Sequence, residues 1–260
     1  MNTEQTETLI NDSFKKISDE SVIEIKNLKK SFGSQEVLKN VNLKLFNGEN
    51  LVVLGKSGTG KSVLIKCIVR LLNADGGTIN VFEKNVTTLN RKELSELRLK
   101  IGFLFQSGAL YDSMTVKQNL EFPLRRIKKN LSEKEINEKV NEVLENVGLA
   151  DALNKMPSQL SGGMRKRISL ARTIVVDPMI MLYDEPTTGL DPVTSDEISS
   201  LINDVQKKYK TSSIIITHDI ECARTNANRV IMLQNGEVYQ EGRLKEFEDS
   251  NDPLIKSFFK

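Results

Sequence analysis

The sequence predicts an α/β fold, a mainly parallel sheet with helices as crossovers, and three observations carry it. The runs Leu51-Val52-Val53-Leu54, Met179-Ile180-Met181-Leu182-Tyr183 and Ser213-Ile214-Ile215-Ile216-Thr217 have the length and apolar composition of buried strands. Stretches with helical periodicity separate them, and strands joined through helices run parallel. Each run ends in glycine or polar residues, where open α/β sheets bind their ligands.

The 260 residues suffice for one large domain or two small ones with an ample core. At 38% hydrophobic and 28% charged residues, the chain is globular rather than disordered. Its 37 basic and 35 acidic residues nearly cancel, and there is no long basic run, so nucleic acid is not an expected partner. No apolar run approaches the roughly 18 residues of a spanning helix. Residues 1–20 contain no apolar segment of signal-peptide length, which predicts a cytosolic chain. Cys67 and Cys222 make no disulfide framework, and Cys67 reads as a small buried apolar residue in a reducing compartment.

In chain order, residues 1–20 read as a loosely ordered extension with room for one helical turn at 13–17. Val22-Ile23-Glu24-Ile25 alternates as a half-exposed strand, and strand-like pieces follow at 37–38 and 41–45. After the strand at 51–54 a helix is expected to about residue 72, then a turn at Asp75-Gly76-Gly77 and a strand over 78–82. A charged helix over 91–100 leads into a strand over 101–105. Helices are expected over 115–126 and 132–147, the second opening on a Ser132/Glu135 capping box and keeping Ile136, Val140, Val143, Leu144 and Val147 on one face. A helical run over 168–175 precedes the strand at 179–183, and a helix over about 194–209 leads to the strand at 213–217. Asn235-Gly236 joins 229–233 and 237–240 as a hairpin.

The sharpest motif is Gly55-Lys56-Ser57-Gly58-Thr59-Gly60-Lys61-Ser62, set between a strand and a helix. That context belongs to a phosphate-binding loop, whose three glycines are expected to supply positive φ angles and whose N–H groups face the anion. It implies a nucleoside triphosphate, with Lys61 on the outer phosphates and the Ser62 hydroxyl on Mg²⁺. Asp184 and Glu185 end an apolar strand; Asp184 suits Mg²⁺, directly or through water, and Glu185 suits polarising an attacking water. His218 is the only histidine, and its strand-end position favours contact with the γ-phosphate and water over a structural role. Gln106, also at a strand end, can reach the metal or the water. Phe32 either stacks on an adenine ring or covers the sheet edge. Ser161-Gly162-Gly163 reads as a helix N-terminus, either simply capped or a second anion site. One nucleotide needs one such loop, so a second grip points to phosphate shared between two chains.

Together these residues resemble the nucleotide-binding subunit of ABC (ATP-binding cassette) transporters over about residues 22–245, with every motif in order. Residues 55–62 are similar to Walker A, Gln106 to the Q-loop and Leu160-Ser161-Gly162-Gly163-Met164 to the family signature. Residues 180–184 resemble Walker B, Glu185 the catalytic carboxylate, Gly189-Leu190-Asp191-Pro192 the D-loop, His218 the switch histidine and Phe32 the A-loop aromatic. The resemblance implies a P-loop NTPase (RecA-like) core with an antiparallel β subdomain and an inserted helical subdomain at about 90–175. It places the ATPase domain at 21–245, between an extension at 1–20 and a tail at 246–260. It implies ATP and Mg²⁺ as cofactors. Phe32, the loop residues Gly55, Lys56, Ser57, Gly58, Thr59, Gly60, Lys61 and Ser62, and Ser161, Gly162 and Gly163 would bind ATP. Ser62, Gln106 and Asp184 would serve the metal, and Glu185, His218 and Lys61 catalysis. It also implies a head-to-tail dimer with a second copy and a membrane-spanning permease partner.

Most of the family has glutamine where this signature has Met164. Met164, with Phe105-Gln106-Ser107-Gly108-Ala109-Leu110-Tyr111-Asp112-Ser113-Met114-Thr115-Val116, is similar to the ATPases of Mla/Mce-type lipid transporters. That narrower resemblance implies lipid, with phospholipid foremost, as cargo. It further implies a lipid-binding Mce-type subunit and a peripheral position on the cytoplasmic face of the inner membrane. The rival readings are a cytosolic ABC ATPase without a permease, such as an assembly factor, and a nucleotide-gated module that barely hydrolyses ATP. The apolar tail residues Leu254, Ile255, Phe258 and Phe259 pack either on their own domain or on a partner.

Overall fold

A computed structural model describes residues 20–259; the helical turn expected at 13–17 lies outside them. The chain opens with strands β1 (Ser21–Phe32), β2 (Gln35–Phe46) and β3 (Asn50–Leu54), followed by helix α1 (Lys61–Ile68). Next come β4 (Gly76–Val81), β5 (Lys84–Asn85), α2 (Arg91–Arg98) and β6 (Ile101–Leu104). A helical run follows: α3 (Val116–Ile127), α4 (Glu133–Asn146) and α5 (Gly162–Ile174). Alternation then resumes with β7 (Ile180–Asp184), α6 (Pro192–Tyr209), β8 (Ser212–Thr217), α7 (Ile220–Asn226), β9 (Arg229–Gln234) and β10 (Glu237–Gly242). Two short helices, α8 (Leu244–Glu248) and α9 (Pro253–Lys256), end it.

Ten strands form one sheet in the order β5-β4-β1-β2-β10-β9-β3-β8-β7-β6. From β9 to β6 the neighbours run parallel, while β5, β4, β1 and β2 pair antiparallel. β3, β7 and β8 are buried at every position, so they read as unbroken apolar runs rather than alternating ones. Their residues still alternate between faces. Val52 and Leu54 join the apolar cluster of α3 to α7, and Leu51 and Val53 join the cluster beneath α1, β1 and β2. The tail packs on its own chain: Ile255 and Phe247 are buried in the first cluster, with Leu254, Phe258 and Phe259 against it. Among the described residues no helix is long and apolar enough to cross a membrane.

Several boundaries differ from the sequence reading for local reasons. The helix after the phosphate loop stops at Ile68 rather than near 72, because Arg70 turns left-handed at φ 50°. The pieces at 37–38 and 41–45 are one strand, β2. Phe82 does not end a strand; with φ 47°, and Glu83 at 63°, it makes the tight turn into β5. The Ser132/Glu135 capping box forms as expected, with the predicted apolar face of α4 buried. The turn at Asn235 and Gly236, with φ 51° and 81°, is the left-handed pair of a two-residue hairpin.

Candidate active site

Register builds the site. Leu54 on β3 pairs with Thr217 on β8, Asp184 on β7 with Ile216, and Leu104 on β6 with Tyr183. Four parallel strands therefore end level. The phosphate loop after Leu54, Gln106 after β6, Glu185 after β7 and His218 after β8 converge on one edge. They line a cleft of about 520 Å³ together with Ser57, Gly58, Gly60, Lys61, Ser62 and Thr188.

Within the loop, two of the three glycines work as the sequence predicts: Gly58 and Gly60 have φ of 83° and 99°. Gly55 does not. Its φ is ordinary, and glycine is needed there for space, since a Cβ would lie 2.7 Å from the Leu233 carbonyl. Gly60 caps α1 without a side-chain bond, so the first N–H groups of the helix face the cleft with the positive end of its dipole. The buried Lys61 ammonium donates to the Gly55 carbonyl at 2.5 Å and lies 3.3 Å from Glu185 Oε1.

Glu185 Oε2 meets His218 Nδ1 at 2.8 Å and accepts from the Thr188 hydroxyl at 3.1 Å. The Ser62 hydroxyl donates to Asp184 Oδ1 at 2.7 Å. A hydroxyl and a carboxylate oxygen in contact at a phosphate loop form the sparse, hard-oxygen donor set that suits Mg²⁺, which takes its remaining ligands from water and phosphates. These residues fit the metal the sequence implies.

Two predicted groups lie outside the cleft. Phe32, about half exposed at the end of β1, has the Lys30 ammonium 5.3 Å from its ring centre. Ser161 caps α5 by accepting from the Met164 N–H, and Gly162 lies exposed beside it. Gly163 is needed for space, because a Cβ would lie 2.5 Å from a Thr194 methyl. The D-loop residue Asp191 caps α6 and accepts from the Thr194 N–H and hydroxyl, bonds that hold its carboxyl below the usual range.

The sequence reading missed three residues. Thr188 holds the Glu185 carboxylate. Asn119, fully buried on α3, donates to the carbonyls of Tyr111, Met114 and Thr115 and accepts from the Tyr111 N–H, fixing the stretch after Gln106. Lys166 on α5 is buried with its ammonium 2.6 Å from the Gln106 carbonyl. The first was legible only as a threonine three residues past the carboxylate, and the others gave no signal.

A family model described as ABC transporter matches residues 38–188. A Mycobacterium leprae (strain TN) protein named "Probable ribonucleotide transport ATP-binding protein mkl" is 42% identical over 236 residues, covering 91% of this chain and 68% of that one. The chain belongs to the ABC transporter family. It is an ABC ATPase that uses ATP with Mg²⁺. The cassette spans about two thirds of the length of the mycobacterial relatives it matches. It is 38% identical over 254 residues to Arabidopsis thaliana "Protein TRIGALACTOSYLDIACYLGLYCEROL 3, chloroplastic", covering 91% of this chain and 73% of that one. A methionine import ATP-binding protein of Clostridioides difficile (strain 630) is 38% identical, covering 86% of this chain and 70% of that one.

Two solved structures place the ABC fold. The cassette MJ0796, described as dimeric, post-hydrolysis and bound to ADP and Pi, superposes with a TM-score of 0.78 at 34% identity, covering 85% of this chain and 98% of that one. CbiO1 of Clostridium perfringens, part of the transporter complex cbiONQ, has a TM-score of 0.82 at 29% identity, covering 93% of this chain and 96% of that one.

Proposed function

We propose that this chain powers lipid transport, with phospholipid as the foremost cargo, through a partner permease in the cell envelope. In this reading residues 21–245 are the ATPase domain, with the helical subdomain at about 90–175. The chain sits peripherally on the cytoplasmic face of the inner membrane. The observation that carries the lipid assignment is the stretch 105–116, which follows the Gln106 loop and is fixed by Asn119, together with Met164 in the signature. Both are similar to Mla/Mce-type ATPases, and an Mce-type lipid-binding subunit would complete the assembly. The chloroplast relative, named for a galactosyl lipid, supports this reading; other relatives are named for ribonucleotide transport or methionine import.

The mechanism follows from which groups face each other. Lys61 and His218 now contact Glu185. A γ-phosphate in the loop competes for both groups, and their release leaves the Glu185 carboxylate free to polarise water. Ser62, Asp184 and Gln106 would hold Mg²⁺, which when bound neutralises charge on the phosphates. The adenine would stack on Phe32. Ser161, Gly162 and Gly163 lie outside the cleft, so they would grip the phosphates held by a second, head-to-tail copy.

The test is recovery of the tagged protein from detergent-solubilised native membranes, with mass spectrometry of proteins and lipids. A multi-spanning protein with enriched phospholipid is the expected result. A permease without lipid removes the cargo assignment, and recovery from the soluble fraction alone favours a cytosolic ATPase.

A further inference from the structure

Among the described residues no carboxylate lies in hydrogen-bond reach of the ammonium of the buried Lys166. Its side chain is 7% exposed, and its ammonium donates to two main-chain carbonyls, of Gln106 at 2.6 Å and of Glu185 at 3.4 Å. Burying an ammonium is costly, and a methionine would fill the same space without that cost. A lysine kept here must act through its charge and its directed bonds.

The two carbonyls belong to the two loops that matter most. Glu185 stands at φ 49°, a left-handed conformation that side chains other than glycine rarely take. Its N–H is fixed by the Ile216 carbonyl at 3.0 Å, and its own carbonyl faces Lys166. That peptide orientation aims the carboxylate at Lys61, His218 and Thr188. The Gln106 carbonyl lies inside the turn that Gly108 closes by donating to the Phe105 carbonyl at 2.9 Å, and a Cβ at Gly108 would lie 2.4 Å from the Ser169 hydroxyl of α5. One side chain on the signature helix thus ties the Gln106 loop to the Glu185 backbone. Burial lowers the ammonium's affinity for its proton, and the nearby Asp184 and Glu185 charges partly offset this.

We propose that Lys166 is a positioning residue that holds the main chain of Glu185 and of the Gln106 loop in one fixed relation. It makes the orientation of the water-polarising carboxylate depend on where the Gln106 loop and helix α5 sit. The proposal rests on the assignment of Glu185 as the group that polarises water.

The experiment compares full-length Lys166→Met, Lys166→Arg and Glu185→Gln. Phosphate release gives kcat and KM, fluorescent-nucleotide titration gives ATP affinity, and hydrogen exchange reports on residues 106–109 and 185–188. Lys166→Met should lower kcat about 20-fold with KM and affinity within about threefold. Both loops should exchange faster, and Lys166→Arg should recover part of the rate. Unchanged kcat in Lys166→Met overturns the proposal. So does a joint loss of affinity, rate and melting temperature that arginine does not repair, which would mark a merely structural lysine. Full turnover in Glu185→Gln overturns the Glu185 assignment instead. If Lys166→Met does not fold, Lys166→Gln, which keeps a donor and loses the charge, is judged by the same criteria.

Discussion

Glu185 carries three contacts on one carboxylate, from Lys61, His218 and Thr188. Replacing it by glutamine keeps the shape and removes the charge that, in the proposed mechanism, polarises water. Glu185→Gln should therefore bind ATP with affinity near wild type and lose about 100-fold or more in phosphate release; turnover at the wild-type rate would end its assigned role. The carboxylate, the lysine and the histidine were legible in the sequence because each directly follows an apolar strand or ends a glycine-rich loop. Lys166 was not legible, since its partner Gln106 lies 60 residues away and only the fold brings them together. Gly55 was legible as a glycine but for the wrong reason, because crowding by Leu233 is invisible before the strands are placed. Cys67 reads correctly as an inert core residue: burial pushes its thiol up to about 11, and that of Cys222 to about 12.

At the scale of elements, α3 matters for what it holds. Asn119 fixes the loop after Gln106 through four main-chain bonds. Asn119→Ala leaves the Met114 carbonyl and the Tyr111 N–H without this partner, while the Tyr111 and Thr115 carbonyls keep the Met114 and Asn119 N–H groups, and should cost about 1–2 kcal/mol in urea unfolding. Asp177, after α5, bonds to Lys128 beyond the end of α3 and to Lys139 on α4 at 2.6 Å. Burial alone would raise its carboxyl pKa, but the two lysines outweigh burial and hold it below the usual value of 3.8. A lowered folded-state value means the stabilisation is full above the unfolded pKa and is lost as pH falls through the folded one. Asp177→Asn tolerates the left-handed φ of 57° there. It should destabilise by about 0.5–1 kcal/mol at pH 7, a small value because the side chain is exposed to solvent. The difference between the unfolding curves of variant and wild type should shrink as pH falls below the ordinary carboxyl value of 3.8. The amphipathic helices and their caps were readable from local pattern, whereas the left-handed stops at Arg70 and Phe82 were not, since neither residue type announces that conformation.

For the whole molecule, strand type and parallel connection followed from the sequence, but the order of ten strands did not. Order depends on which apolar faces meet, and β3 reads the same on both of its faces. The level strand ends make ATP binding a property of the folded sheet alone, so ligand and stability are linked. Mg²⁺-ATP at about 100 times its Kd should stabilise the chain by about 2.7 kcal/mol. Chelation of the metal with EDTA should remove most of the resulting rise in melting temperature.

The antiparallel and parallel halves of the sheet touch along β2 and β10 through a single pair, Asn40 with Glu237, plus the bond from the Lys39 N–H to the Gly236 carbonyl. What joins them otherwise is Arg229 on β9, which donates to the Lys44 carbonyl at 2.6 Å and lies over the Phe46 ring, and the apolar cluster running from Ile23 and Leu45 to Leu51 and Leu64. Ladder bonds and oily contacts respond oppositely to cold, because apolar burial weakens as temperature falls. Near freezing, in mild urea, amide exchange should therefore quicken first in β1 and β2 while β3, β7 and β8 stay protected. The cold would split this sheet along its thinnest line.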